Sequence, residues 1–215
     1  MDSVKIPLLD AINSGKEHKY LDTKVAACIG MFSIVFFSVC WILGIVLDGD
    51  WVWNEDVICR LGISEVEFVA NMYLVSCLVT GIGLITCGFG IMRESPRTLE
   101  MFAFMCCMIF GVAMIGLGLI DMNNKGVHRI FSTAIMLFGI VVMTVCTLDD
   151  VIQHKYRMAL VTFLFGLVVL AILLIEPDAV QTISVVGMLV WLFVKCVLKV
   201  KPDLVPDVFR PKGVE

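Results

Sequence analysis

Charge is scarce in this chain. Asp, Glu, Lys and Arg make up only 17% of the 215 residues, against about 25% in an ordinary soluble domain. Histidine occurs three times, at 18, 128 and 154. No Cys-x-x-Cys pair and no Cys/His spacing suited to a structural metal occurs, although there are nine cysteines. Eight of these lie within apolar stretches, where they read as small packing residues rather than a disulfide framework. No Gly-x-Ser-x-Gly or comparable nucleophile signature is present, which leaves a serine mechanism without support. Basic clusters interleaved with aromatics are also missing, so nucleic-acid binding is not expected. The six prolines all fall outside the long apolar blocks. The first 24 residues are polar and lack the basic start and short apolar run of a cleaved signal peptide.

Apolar length is what the sequence has instead. Hydrophobic residues reach 60% and the mean hydropathy is +0.97. They are concentrated in blocks of about 18 residues or more, the length a helix needs to cross a ~30 Å hydrocarbon core. Six such blocks are predicted, at 25–47, 66–92, 101–120, 127–148, 158–175 and 179–200. The expected fold is therefore an all-α, polytopic membrane protein with six transmembrane helices over 25–200. Residues 1–24 are expected to be a tail with a short interfacial helix, and 201–215 an extended tail containing three prolines.

Lysine and arginine give the orientation. With six spans, 13 of the 16 basic residues fall on the side of the two termini and three on the other. The positive-inside bias then places both termini in the cytoplasm of a cell-membrane protein. The long loop 48–65 lies outside. It is expected to fold back onto the helix ends, partly as a short helix, because Val52, Val57, Ile58, Leu61 and Ile63 need cover. Trp51 and Trp53 suit the interfacial belt. Asp22 or Thr23 is placed to cap the first span. Within the second span, Ser76, Thr80, Gly83, Cys87 and Gly90 recur at spacings of four, three, four and three, marking a groove where another helix can approach closely.

This topology gathers polar residues on the outer face: Asp56, Arg60, Asn71, Asp121, His128 and Glu176 form the expected ligand-binding cluster. Asn71 lies inside the second span and needs partners, and His128 opens the fourth on a stripe with Ser132 and Gly139. The run Ile58-Cys59-Arg60-Leu61-Gly62, then Phe68, Asn71 and Gly81, resembles the "Ser-x-Leu-Gly … Phe-Asn … Gly" pattern of a family of prokaryotic integral membrane proteins of unknown function. Gly118-Leu119-Ile120-Asp121 followed by Val127-His128 is similar to that family's acidic turn and His-initiated helix. The resemblance implies a multispan architecture, distantly akin to the FRAG/DRAM/Sfk group, and supplies no activity.

Three functions compete. The favoured one is a non-enzymatic membrane protein that binds a lipid headgroup, a small solute or a partner at the outer cluster, with no cofactor and no metal. A small solute transporter is the alternative, although no span carries a midplane charge or proline. A metal-dependent intramembrane hydrolase built on His128, Asp121 and Glu176 is the third. His18 and His154 fall on the opposite side and cannot join it.

Overall fold

The computed structural model describes residues 21–53, 55–120, 122–175 and 180–201. Every long element among them is helical: α1 (Thr23–Asp48), α2 (Glu67–Glu94), α3 (Thr98–Leu119), α4 (Lys125–Ile152), α5 (Tyr156–Ile175) and α6 (Val180–Val200). A short 3-10 helix, Ile58–Ile63, lies in the long loop. Five of the six long helices, all but α5, are long and apolar enough to cross a membrane, and α5 holds a shorter apolar stretch, Met158–Val168. Their outward faces are apolar too, with Phe32, Ile82, Val112, Ile140 and Phe163 all more than half exposed. So broad an apolar surface on every side belongs in lipid.

Local chemistry sets the helix ends. Asp22 caps α1, its carboxylate accepting from the backbone N–H of Lys24 at 2.7 Å. The helix stops at Gly49, whose φ of 74° is left-handed, a conformation glycine adopts without Cβ strain. Pro96 separates α2 from α3, because it supplies no N–H and disfavours helical geometry in the residue before it. Two helix ends reach further than expected and take in three acids. Glu100 lies in the first turn of α3, while Asp149 and Asp150 lie in the last turns of α4. All three are buried.

Neighbouring helices follow chain order around the bundle, from α1 to α2, α3, α4, α5 and α6, and α6 returns to pack on α1. The expected groove on α2 is a packing seam, and its partner is α1. A Cβ built on Gly83 would stand 2.4 Å from Ser33, one on Gly90 2.3 Å from Ala26, and one on Gly30 2.7 Å from the Cys87 sulfur. Thr80 crosses the same seam, donating from Oγ1 to the carbonyl of Ser33 at 3.1 Å. A second seam, on another face of α2, meets α3. There Gly81 and Gly111 oppose each other so closely that a Cβ on either would lie within 2.7 Å of the other's carbonyl oxygen.

The long loop folds back as expected. Leu61 and Ile58 of the 3-10 helix are buried among α1 and α2, and Val57 packs against them, whereas Val52 and Ile63 stay exposed. Gly44 gives Leu61 its room on α1, and Gly62 lies flat against the Tyr73 ring of α2.

Candidate functional site

The loop end of the bundle is organised by short polar links. Asp56 pairs with Arg60 and also accepts from the backbone N–H of Val52 at 2.8 Å. Ser64 bonds to Asp48, joining the loop's end to the end of α1. The Trp51 indole donates to the carbonyl of Val57 at 3.3 Å and meets Trp53 edge-on at 5.9 Å. These contacts brace the loop so that Ile58, Cys59 and Leu61 plug the space between α1 and α2.

Beneath the plug lies a cavity of about 190 Å³, lined in part by Cys59, Gly62, Asn71, Tyr73, Gly118 and His128. Asn71 and His128 both border this space, although Asn71 is also exposed to the outside. His128 is buried, and its Nδ1 lies 2.8 Å from the carbonyl oxygen of Ile120. A carbonyl only accepts, so Nδ1 carries the proton and, in the neutral ring, Nε2 is an acceptor. Ile120 ends α3, where helical carbonyls lose their partners; the imidazole satisfies one of them. Asp56 and Arg60 do not line the cavity and serve the loop instead. Asp121 and Glu176 lie outside the described residues. Among those described, no three His, Cys, Asp or Glu side chains converge to hold a metal ion.

The sequence reading missed two things. One is the part of Cys59, Gly62 and Tyr73 in the cavity; a glycine opposite an aromatic across a loop is visible only once the loop is folded. The other is a charge network at the opposite end of the bundle. Arg97 donates to Glu100 at 2.7 Å and to Asp149 at 2.6 Å, and Gln153 also donates to Asp149 at 2.5 Å. Lys199 pairs with Glu100. Lys195 pairs with Asp150 at 2.6 Å and stands 5.6 Å from the Trp191 ring centre. Three cations thus meet three carboxylates across α3, α4 and α6. Lys195, near the end of α6, turns its amine to Asp150. The usable signal was spacing: Lys195 and Lys199 are four apart on one face, and Arg97 and Glu100 three apart.

Residues 31–198 match the model of a family described as "Protein of unknown function (DUF998)". The chain belongs to this family. The match covers all six helices in whole or part, and it agrees with the uncharacterised family resembled by the loop and α2 residues; kinship to the FRAG/DRAM/Sfk group is no part of it. No match is found among curated proteins, and none among solved structures. The DUF998 chain described here is a multispan membrane protein, and its two polar centres lie at opposite ends of one bundle.

Proposed function

We propose that this DUF998 protein is a six-span protein of the cell membrane, with both termini cytoplasmic, that binds an uncharged hydrogen-bonding group in the loop-end cavity. The observation that carries this reading is the cavity of about 190 Å³ shared by Asn71, Tyr73 and His128. That volume is far above the ~10–15 Å³ that one water needs. Its polar side chains are neutral donors and acceptors, which favours a hydroxyl or amide over an ion. α5 supports the count of six, since its 20 residues span ~30 Å at ~1.5 Å each. The uneven division of basic residues supports the orientation.

The bound group belongs to a lipid headgroup or to a free solute, and one experiment separates the two. Wild type and Asn71→Trp, whose indole fills the cavity, are purified from the same membranes. Native mass spectrometry reads retained lipid, and thermal melting with added glycerol or urea reads the soluble probe. A headgroup gives a lipid adduct that Asn71→Trp loses; a solute gives a melting shift that Asn71→Trp loses. If Asn71→Trp behaves as wild type in both assays, the cavity is not a binding site.

A further inference from the structure

Two of the cysteines meet inside the bundle. Cys87 of α2 and Cys196 of α6, 109 residues apart in sequence, hold their sulfurs 3.6 Å from each other. Both side chains are fully buried. The helices that carry them are not close packing partners: α6 lies chiefly on α1, and α2 packs on α1 and α3. A third helix gives the sulfurs their room. A Cβ built on Gly30 of α1 would stand 2.7 Å from the Cys87 sulfur and 3.5 Å from that of Cys196. Cys107 of α3 neighbours both residues, and Cys28 of α1 neighbours Cys196. It is Cys87 and Cys196, however, whose sulfurs are within hydrogen-bond range.

The sulfurs of a disulfide are ~2.05 Å apart. Bond formation would draw this pair together by about 1.5 Å, a shift that rotation about the two Cα–Cβ bonds supplies. We propose that Cys87 and Cys196 are a dithiol oxidation site, that organic hydroperoxides of the bilayer convert it to a disulfide, and that the bond locks α6 to α2. The hydroperoxide transfers its terminal oxygen to one thiol, giving a sulfenic acid, and departs as an alcohol. The second thiol attacks that sulfur, and its proton leaves with the hydroxyl as water. The two thiols lose two electrons and two protons, and one hydroperoxide becomes one alcohol and one water.

Burial selects the oxidant. Cys87 lies seven residues before the end of α2 and Cys196 four before the end of α6, so the reagent must be uncharged and soluble in hydrocarbon. The same burial shields the bond from glutathione, a charged reductant confined to water. Packed thiols are slow to react, and α6 must loosen to admit the oxidant. The bond then ties the last helix to the second across a long stretch of chain, where a cross-link constrains the unfolded state most. Nothing in this inference depends on the loop-end cavity.

Wild-type protein in phosphatidylcholine vesicles, reduced and then treated with tert-butyl hydroperoxide, tests the proposal. Free thiols are alkylated afterwards, and peptide mapping by mass spectrometry reads which sulfurs are joined. A Cys87–Cys196 cross-link is expected in wild type and lost in Cys87→Ser and Cys196→Ser. The melting temperature of oxidised wild type should rise by roughly 10 °C, and neither serine variant should show the rise. Glutathione should leave the bond in intact vesicles, whereas tributylphosphine, which enters the bilayer, should break it. If a serine variant does not fold, the wild-type peptide map decides. No cross-link, or a predominant bond from either cysteine to Cys107, overturns the site. A cross-link without a rise in melting temperature overturns the lock, and equal reduction by the two reagents overturns the shielding.

Discussion

His128 shows how one side chain can close a helix end in lipid. Its Nδ1–H meets the carbonyl of Ile120, a group that no later turn of α3 can satisfy. Removing that donor leaves a partly buried carbonyl without its partner, a cost of ~1–3 kcal/mol. His128→Ala is therefore expected to lower unfolding free energy by about that amount in mixed-detergent titration. Because the bond uses Nδ1, Asn should recover part of the loss and Gln less, since the Asn amide places its N–H at a similar distance from the backbone. Equal recovery by Gln, or no loss in His128→Ala, would contradict the assignment. Chelators are expected to leave all of these variants unchanged.

At the scale of elements, the glycine seams decide how closely helices approach. Gly83→Leu places a branched side chain where even a Cβ would meet Ser33 at 2.4 Å; overpacking of this kind costs ~1–3 kcal/mol. Its melting temperature should fall well below that of Ile82→Phe, on a face where Ile82 is 58% exposed. Equal melting would mean that the α1–α2 seam is not tight. Leu84, the other neighbour, is fully buried and makes no control.

The spacing of Ser76, Thr80, Gly83, Cys87 and Gly90 revealed the existence of that seam, because periodicity assigns residues to a face. Periodicity does not say which helix covers the face, so the choice of α1 became visible only in three dimensions. The helix ends were less legible for an electrostatic reason. Glu100, Asp149 and Asp150 look like connector residues, since an unpaired carboxylate at a span's end is costly. Each is buried because Arg97, Lys195 or Lys199 reaches it, and two of those cations come from a helix far away in sequence. Of the candidate site, depth and stripe suggest that Asn71 and His128 border one space, but they do not foretell that Asn71 stays exposed. The roles of Asp56 and Arg60 were not legible either, because local pairing within the loop competes with facing the cavity.

For the molecule as a whole, the decisive geometry is that both ends of the described chain lie on one face. Thr23 donates to Glu94 at 2.6 Å, and Lys199 reaches Glu100 from the other terminus. The opposite face carries the loop and the α3–α4 turn. Single cysteines at Asn124 and Thr98, both exposed, therefore report on opposite sides of the membrane. In a background cleared of the nine native thiols, an impermeant maleimide added to whole cells should label Asn124→Cys and spare Thr98→Cys. The reverse pattern would invert the orientation, and labelling of both would break the even count of spans.

The distribution of the six tail-end charges also bears on the order in which the protein is built. When ribosomal synthesis has delivered α1 to α4, the glycine seams are complete, and the network contains Arg97 with Glu100, Asp149 and Asp150. That partial bundle holds three carboxylates against one guanidinium. The two missing positive charges arrive on the last turns of α6, four residues apart, once nearly the entire domain is in the bilayer. The final helix thus meets an electrostatic address prepared by the earlier ones, and a nascent chain arrested before Lys195 would carry an acidic scar at the end of the bundle where its chain begins.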